Sequence, residues 1–414
     1  MTSITRMTAA LLGATALAAP AVAADVEVLH WWTSGGEAAA VSVLKDDLEG
    51  KGTGWVDMAV AGGGGDAAMT TLRARVTAGD PPTAAQMLGM SVREWADEGF
   101  LGDLNTVAAE EGWDEVVPPA VQGFGKHEGK WVAAPVNMHR PHWVWASASI
   151  FEELGLEMPT TWDEFFAAAD KIQEAGYVAV AQGGQAWQEA TVWEAVVLGI
   201  SPDLYRSAVI EADDAALRSE GIVESFEIMR KIRGYVDPNF AGRDWNLATA
   251  MVINGEAGMQ IMGDWAKGEV INAGLTPGEE VLCGVSPGTQ GAFLFNTDFF
   301  AMFDVGDDKK EAQLQMASSA MSPEFQETFN LAKGSIPART DVSGDNFDIC
   351  AQKSMADLAE ATASDTLFGS LAHGHGQPAS VQAAYLDVVT QHFNSDMSAE
   401  DAANALADAV AAAQ

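Results

Sequence analysis

Apolar and polar residues change period several times along the chain, and each change falls at glycine or proline. Val26-Glu-Val-Leu-His30 has a β-rich, near-alternating pattern that predicts a strand. Ala40, Val41, Leu44 and Leu48 then recur at helical spacing, which predicts a helix over 37–48. Gly50-Lys-Gly-Thr-Gly54 breaks it, and Trp55 to Val60 reads as a second strand. Gly62 to Gly65 form a loop, with Asp66 expected to cap a helix over 67–78. Pro81-Pro82 stop that helix, and Ala84–Leu88 reads as a third strand. This β-α-β-α-β alternation predicts an open α/β sheet.

Further along, 130–150 is apolar and rich in Trp and β-formers. Thr161 and Glu164 have capping-box spacing at the start of a helix over 162–175. Tyr177–Ala181 reads as a strand, followed by helices over 186–198, 203–217 and 221–234. A helix and the strand Ala257–Met262 fill 245–262, and Ala292–Phe303 reads as one strand. Helices are expected near 308–318, 322–332, 351–361, 378–392 and 398–412. No internal repeat is visible.

Residues 1–24 have the form of a secretory signal: Arg6, an apolar run from Met7 to Ala19, and small residues at Ala21-Val-Ala23. The run is too short to span a membrane, so the mature chain is expected to be periplasmic. The formal charge of the full 414-residue sequence is −37. That excludes a nucleic-acid partner and docking on an anionic membrane, both of which need dense Lys and Arg. In an oxidising compartment Cys283 and Cys350 are disulfide candidates, favoured over two free thiols.

The candidate chemistry is sparse. The glycine run 62–65 lacks the Lys-Ser/Thr of a phosphate cradle and reads as a strand-to-helix turn. His139-x-x-His142 and His373-x-His375 lack a third and fourth ligand at metal spacing, so no metal site is expected. Acid pairs such as Asp163/Glu164 and Asp213/Asp214 read as caps or solvated faces, and no nucleophile elbow is present. No catalytic residue and no cofactor is expected. Trp31-Trp32 differs from these, because two indoles sit together where the first strand ends, the edge at which open α/β sheets take ligands. Core packing accounts for one of them, since neighbouring strand residues face opposite ways.

The chain resembles the periplasmic solute-binding proteins of sugar ABC transporters, of the glucose/mannose-binding type. The likeness runs from about 25 to 395 through an ordered set of segments. These are His30-Trp-Trp-Thr-Ser-Gly-Gly-Glu37, Ala61-Gly-Gly-Gly-Gly65, Gly79-Asp-Pro-Pro82, Pro135-Val-Asn-Met-His-Arg140, Pro159-Thr-Thr-Trp-Asp-Glu164, Ala181-Gln-Gly-Gly-Gln185, Asn254-Gly-Glu-Ala-Gly258, Met262-Gly-Asp-Trp-Ala-Lys-Gly-Glu269 and Lys333-Gly-Ser-Ile-Pro-Ala-Arg339.

The resemblance implies a maltose-binding-protein-like α/β fold of two lobes joined by hinge strands, with the ligand in the cleft between them. The N-lobe is expected over 25–135 and 297–337, and the C-lobe over 140–293 and 342–414. Crossings are expected near 135–140, 293–298 and 337–342. The resemblance further implies that Trp31 and Trp32 cover the sugar faces and that Glu37 is a polar contact. Trp245 and Trp265 would close the far side, Asn296 and Asp298 would pair with hydroxyls, and Lys333 and His373 would touch ring hydroxyls as charged or switchable donors. Leu88 departs from the pattern, which expects Lys or His there, and this opens the choice of sugar. The expected partners are a sugar and ABC permease subunits, with the chain itself a monomer. The alternatives are a binding protein for another solute and an extracellular carbohydrate-active enzyme.

Overall fold

The computed structural model describes residues 24–414, so the expected signal lies outside the described residues except for Ala24. Thirteen strands are present among them: β1 Val26–His30, β2 Trp55–Ala59, β3 Ala84–Leu88, β4 Lys126–His127, β5 Lys130–Trp131, β6 Ala133–Pro135, β7 Trp143–Ser147, β8 Val178–Val180, β9 Ala257–Met262, β10 Val281–Val285, β11 Phe293–Phe295, β12 Asp298–Met302 and β13 Leu367–Gly369.

They build two main sheets. The first has the order β2-β1-β3-β12-β6, with β1 parallel to β2 and β3, and β12 antiparallel to β3 and β6. The second has the order β10-β7-β9-β8. Its central β7 is buried on both faces, and side-chain alternation splits it. Val144 and Ala146 enter one apolar cluster while Trp143 and Trp145 enter another on the opposite face. The first sheet has its own core, including Leu29, Met87 and Phe300. Each sheet with its helices therefore forms a separately cored lobe.

The lobes are joined where three stretches of chain meet. Met138 exchanges backbone hydrogen bonds with Ile336, and His139 exchanges them with Asn296. The third crossing is thus tied at Ile336, beside the expected 337–342. The stretch 292–303 is not one strand. Phe293–Phe295 pairs in parallel with β13, and Asp298–Met302 enters the first sheet. The same apolar run serves two sheets, which periodicity cannot resolve.

Two other expectations change. Asp66 is the first residue of helix Asp66–Thr77 and not its cap; left-handed Gly65 holds that position. The helix expected over 203–217 breaks into helix Pro202–Tyr205, a π-turn over Arg206–Ile210 and helix Asp214–Leu217. Ala212 turns left-handed, and Asp213 accepts the Ala216 N–H as a new cap. The capping box of Thr161 and Glu164 forms as read.

Cys283 on β10 and Cys350 are bonded, with Cα atoms 6.2 Å apart. Cys350 belongs to helix Ile349–Ala363, which rests on both lobes. Its Ala351 and Ala361 join the first core, and Cys350 joins a cluster of the second.

Candidate functional site

β1 ends at His30, and the chain then turns both indoles of Trp31-Trp32 inward, leaving them 5% and 3% exposed. Trp32 meets Phe300 edge to face at 5.7 Å and Phe329 at 5.4 Å, so one of its sides is fixed by the core. The helix Gly35–Gly50 begins directly afterwards. Ser34 and Glu37 form its capping box, in which Glu37 Oε2 accepts the N–H groups of Thr33 (3.1 Å) and Ser34 (3.2 Å). Glu37 Oε1 is left facing Lys333 Nζ at 3.5 Å. Lys333 ends helix Pro323–Lys333, and its ammonium lies 5.6 Å from the Trp32 ring.

The second lobe supplies the opposing wall. Trp187 and Trp245 open the helices Ala186–Ile200 and Trp245–Ile253, and Trp265 precedes helix Ala266–Asn272. Trp265 meets His139 edge to face at 5.3 Å and lies 5.0 Å from His373 and 6.1 Å from Trp187. The glycine loop of the first lobe packs onto these indoles. A Cβ on Gly63 would come within 2.7 Å of Trp245, and one on Gly64 within 2.6 Å of Trp187. The glycines therefore allow the close approach of two lobes as well as a turn.

Between the walls is a tight cavity, with about 40 Å³ accessible to the centre of a water-sized molecule. It is lined by all nine residues expected at the site: Trp31, Trp32, Glu37, Trp245, Trp265, Asn296, Asp298, Lys333 and His373. Gly63, Gly64, Leu88, His139, Trp187 and Ala372 line it as well. Leu88 is paired with Asp298 across β3 and β12, so an apolar side chain stands next to the carboxylate. Trp187 gave no signal in the sequence, because it lies in a helix that is buried nearly all round. His139 did carry one, as half of a His-x-x-His pair. The pair points two ways, however. His142 turns to Thr289 and accepts the Leu294 N–H, while His139 faces the cavity.

His139 organises the charges. Its Nδ1 is hydrogen-bonded to Asp264, and its Nε2 is 3.2 Å from Asp298 Oδ2. Burial opposes charge on this ring, but the two carboxylates win and raise its pKa above the ordinary histidine value. Asp298 is held down to about 2: burial would raise it, and His139, Lys333 and the Asn137 amide outweigh that. Asp298 also accepts from Gln86 Nε2 (2.7 Å) and Asn137 Nδ2 (2.7 Å), and its own N–H is bound by Asn137 Oδ1 (2.8 Å). The carboxylate is rigidly held, with Oδ2 occupied by Asn137 and His139 and one acceptor position left on Oδ1.

Three buried polar atoms of lining residues have no hydrogen-bond partner among the described residues: Trp265 Nε1, Asn296 Oδ1 and His373 Nε2. Unpaired polar atoms at this depth are costly unless something binds them. Flat indole faces, one ammonium and this set of donors and acceptors suit a small, neutral, hydroxyl-rich molecule.

Residues 31–317 match the family described as bacterial extracellular solute-binding protein. A probable sugar-binding periplasmic protein of Rhizobium meliloti (strain 1021) is 56% identical over 410 residues, covering 99% of this chain and 98% of that one. Among solved structures, a chitin oligosaccharide binding protein superposes with a TM-score of 0.80 at 17% identity, covering 94% of this chain and 99% of the other. The maltose-bound T. maritima MalE3 superposes with a TM-score of 0.75 at 17% identity, over 94% and 99% of the two chains.

Proposed function

The chain belongs to the bacterial extracellular solute-binding protein family, and on that premise we propose that it is the periplasmic sugar-binding component of an ABC transporter, taking a monosaccharide of the glucose or mannose kind between its lobes. It is a binding protein and not an enzyme. The lobes close on the sugar, and the loaded form is delivered to the permease.

The observation that carries this reading is the small cavity walled by five indoles from both lobes, with polar atoms left unpaired among them. A pyranose has flat C–H patches that pack on indole and a rim of hydroxyls that both donate and accept. The tightness of the cavity between its two walls favours one ring over a chain of several. Trp31, Trp32, Trp245 and Trp265 are assigned to the sugar faces. Glu37, Asn296, Asp298, Lys333 and His373 are assigned to its hydroxyls. Leu88 supplies an apolar contact where a donor is expected, so the preferred hexose need not be glucose itself.

Calorimetry against a panel of monosaccharides and disaccharides tests the proposal. One or a few monosaccharides should bind, raise the melting temperature and be recovered unchanged. Trp31→Ala should weaken that binding at least tenfold. Tight binding of disaccharides alone would overturn the monosaccharide reading, and release of an altered sugar would overturn the binding-protein reading.

A further inference from the structure

One wall of the cavity has its hydrogen-bond direction fixed by residues that do not line it. His373 lines the cavity; its buried Nε2 has no hydrogen-bond partner among the described residues, and its Nδ1 is 2.8 Å from Ser370 Oγ. Ser370 Oγ is in turn 2.6 Å from Oε1 of Glu194, a fully buried residue. Glu194 Oε2 receives the Ala372 N–H at 3.2 Å and lies 3.3 Å from the Tyr205 hydroxyl.

The donors can be assigned in sequence. An ionised carboxylate only accepts, so the single Ser370 hydroxyl proton is committed to Glu194. The Ser370 oxygen can then only accept from His373, which places a proton on Nδ1. A neutral imidazole carries one N–H, and Nε2 is therefore a bare lone pair. The ring is neutral: burial brings His373 down to about 3, the charges of His375 and His139 add to this, and Asp298 opposes it. Burial pushes Glu194 up to about 7, against the hydrogen bonds of Ser370, Ala372, Leu371 and Tyr205, so the assignment applies above that pH.

The support extends into the fold. Tyr205 immediately precedes the π-turn, and its hydroxyl accepts the Leu371 N–H at 3.2 Å and lies 3.0 Å from the Gly369 carbonyl. Gln377 Nε2 donates to the π-turn carbonyls of Val209 (2.7 Å) and Ile210 (2.9 Å). The irregular turn is thereby satisfied, and it anchors the 369–373 loop from behind.

Resting on the sugar-binding reading, we infer that Glu194 and Ser370 are positioning residues that make His373 an obligatory acceptor, so that the ligand must present there a hydroxyl able to donate. The cavity then holds two imidazoles of opposite character. His139 is held between two carboxylates, and His373 offers a lone pair. This replaces the switchable donor that the resemblance implied for His373. A sugar that is deoxygenated, methylated or fluorinated at that one hydroxyl is rejected, because the buried lone pair stays unpaired.

The test uses the purified protein with ¹⁵N-labelled histidine at pH 8.5, with the resonances assigned through a His373→Gln variant. Nitrogen NMR should show His373 protonated at Nδ1 and bare at Nε2. Glu194→Gln, whose amide can donate to Ser370, should move the proton to Nε2. Ser370→Ala should remove the preference, and it carries the test if Glu194→Gln does not fold.

Calorimetry with monofluorinated forms of the bound hexose should find one position at which wild type loses about tenfold, since fluorine accepts but does not donate. That loss should shrink in Glu194→Gln. An Nε2-protonated His373 in wild type, or a tautomer that neither variant alters, overturns the inference. If no sugar binds while Nδ1 is protonated, the sugar reading fails and the tautomer assignment stands.

Discussion

At the scale of single residues, only the Trp31-Trp32 pair stood out on physical grounds, and the other seven expected lining residues were legible through the family resemblance alone. Two adjacent indoles would face opposite ways if the pleat continued, but the chain leaves the strand at His30, and Trp31 and Trp32 both join the first core while lining the cavity. Trp187 had no such mark, because a helix buried on all sides hides which of its residues meets a ligand. Leu88 is the residue on which sugar choice should turn. Leu88→Lys would put an ammonium beside Asp298 and move preference toward glucose; unchanged affinities across a hexose panel would refute this.

Glu189 gives a prediction of stability. It is buried, and burial outweighs the hydrogen bonds of Asn394 and Thr390 and the charge of Arg233, pushing its pKa up to about 7 from 4.5. The folded state thus holds a proton that the unfolded state releases between about pH 4.5 and 7, and stability falls as pH rises through that window. Glu189→Gln removes this loss. Its stability relative to wild type should rise by about 2–3 kcal/mol between pH 5 and pH 8. Urea unfolding at the two values measures it, and equal differences at both would count against the assignment.

At the scale of elements, the long helices and the first three strands were readable because their periods are clean and their ends are marked by Gly, Pro or a cap, while β7, β10 and β13 were not read as strands. What was not readable depended on partners far away in the chain. The 203–217 segment has helical composition, and its break is stabilised by Gln377 and Tyr385, which periodicity cannot see. The glycines at the cleft are a second case.

A Cβ on Gly36 would lie 2.6 Å from the Gly268 carbonyl carbon across the lobe interface, where Gly36 N–H donates to Glu269 at 2.8 Å. Within its own helix, alanine is the better residue by roughly 0.5–1 kcal/mol. Gly36→Ala should therefore keep or slightly raise the stability of the unliganded protein while weakening sugar binding at least tenfold. X-ray scattering should find less contraction on adding ligand than in wild type. The disulfide acts on another element, pinning helix Ile349–Ala363 to β10. Replacing both cysteines by alanine should lower stability by about 4 kcal/mol in the chain-entropy model, as read by denaturant titration, with ligand affinity retained.

At the scale of the whole molecule, the excess of acids is a surface property that keeps the protein soluble, and the ligand chemistry is set by a few buried charges that offset one another. The order of the first sheet has a consequence for how the protein is made. β12 lies between β3 and β6, yet it follows the strands of the second main sheet in the chain. Until residue 302 has left the ribosome, after about 15–60 s of synthesis, β6 has no strand to pair with and one edge of β3 stays open. Such long-range pairing forms slowly. A nascent chain cannot complete its first lobe until most of its 414 residues have been made.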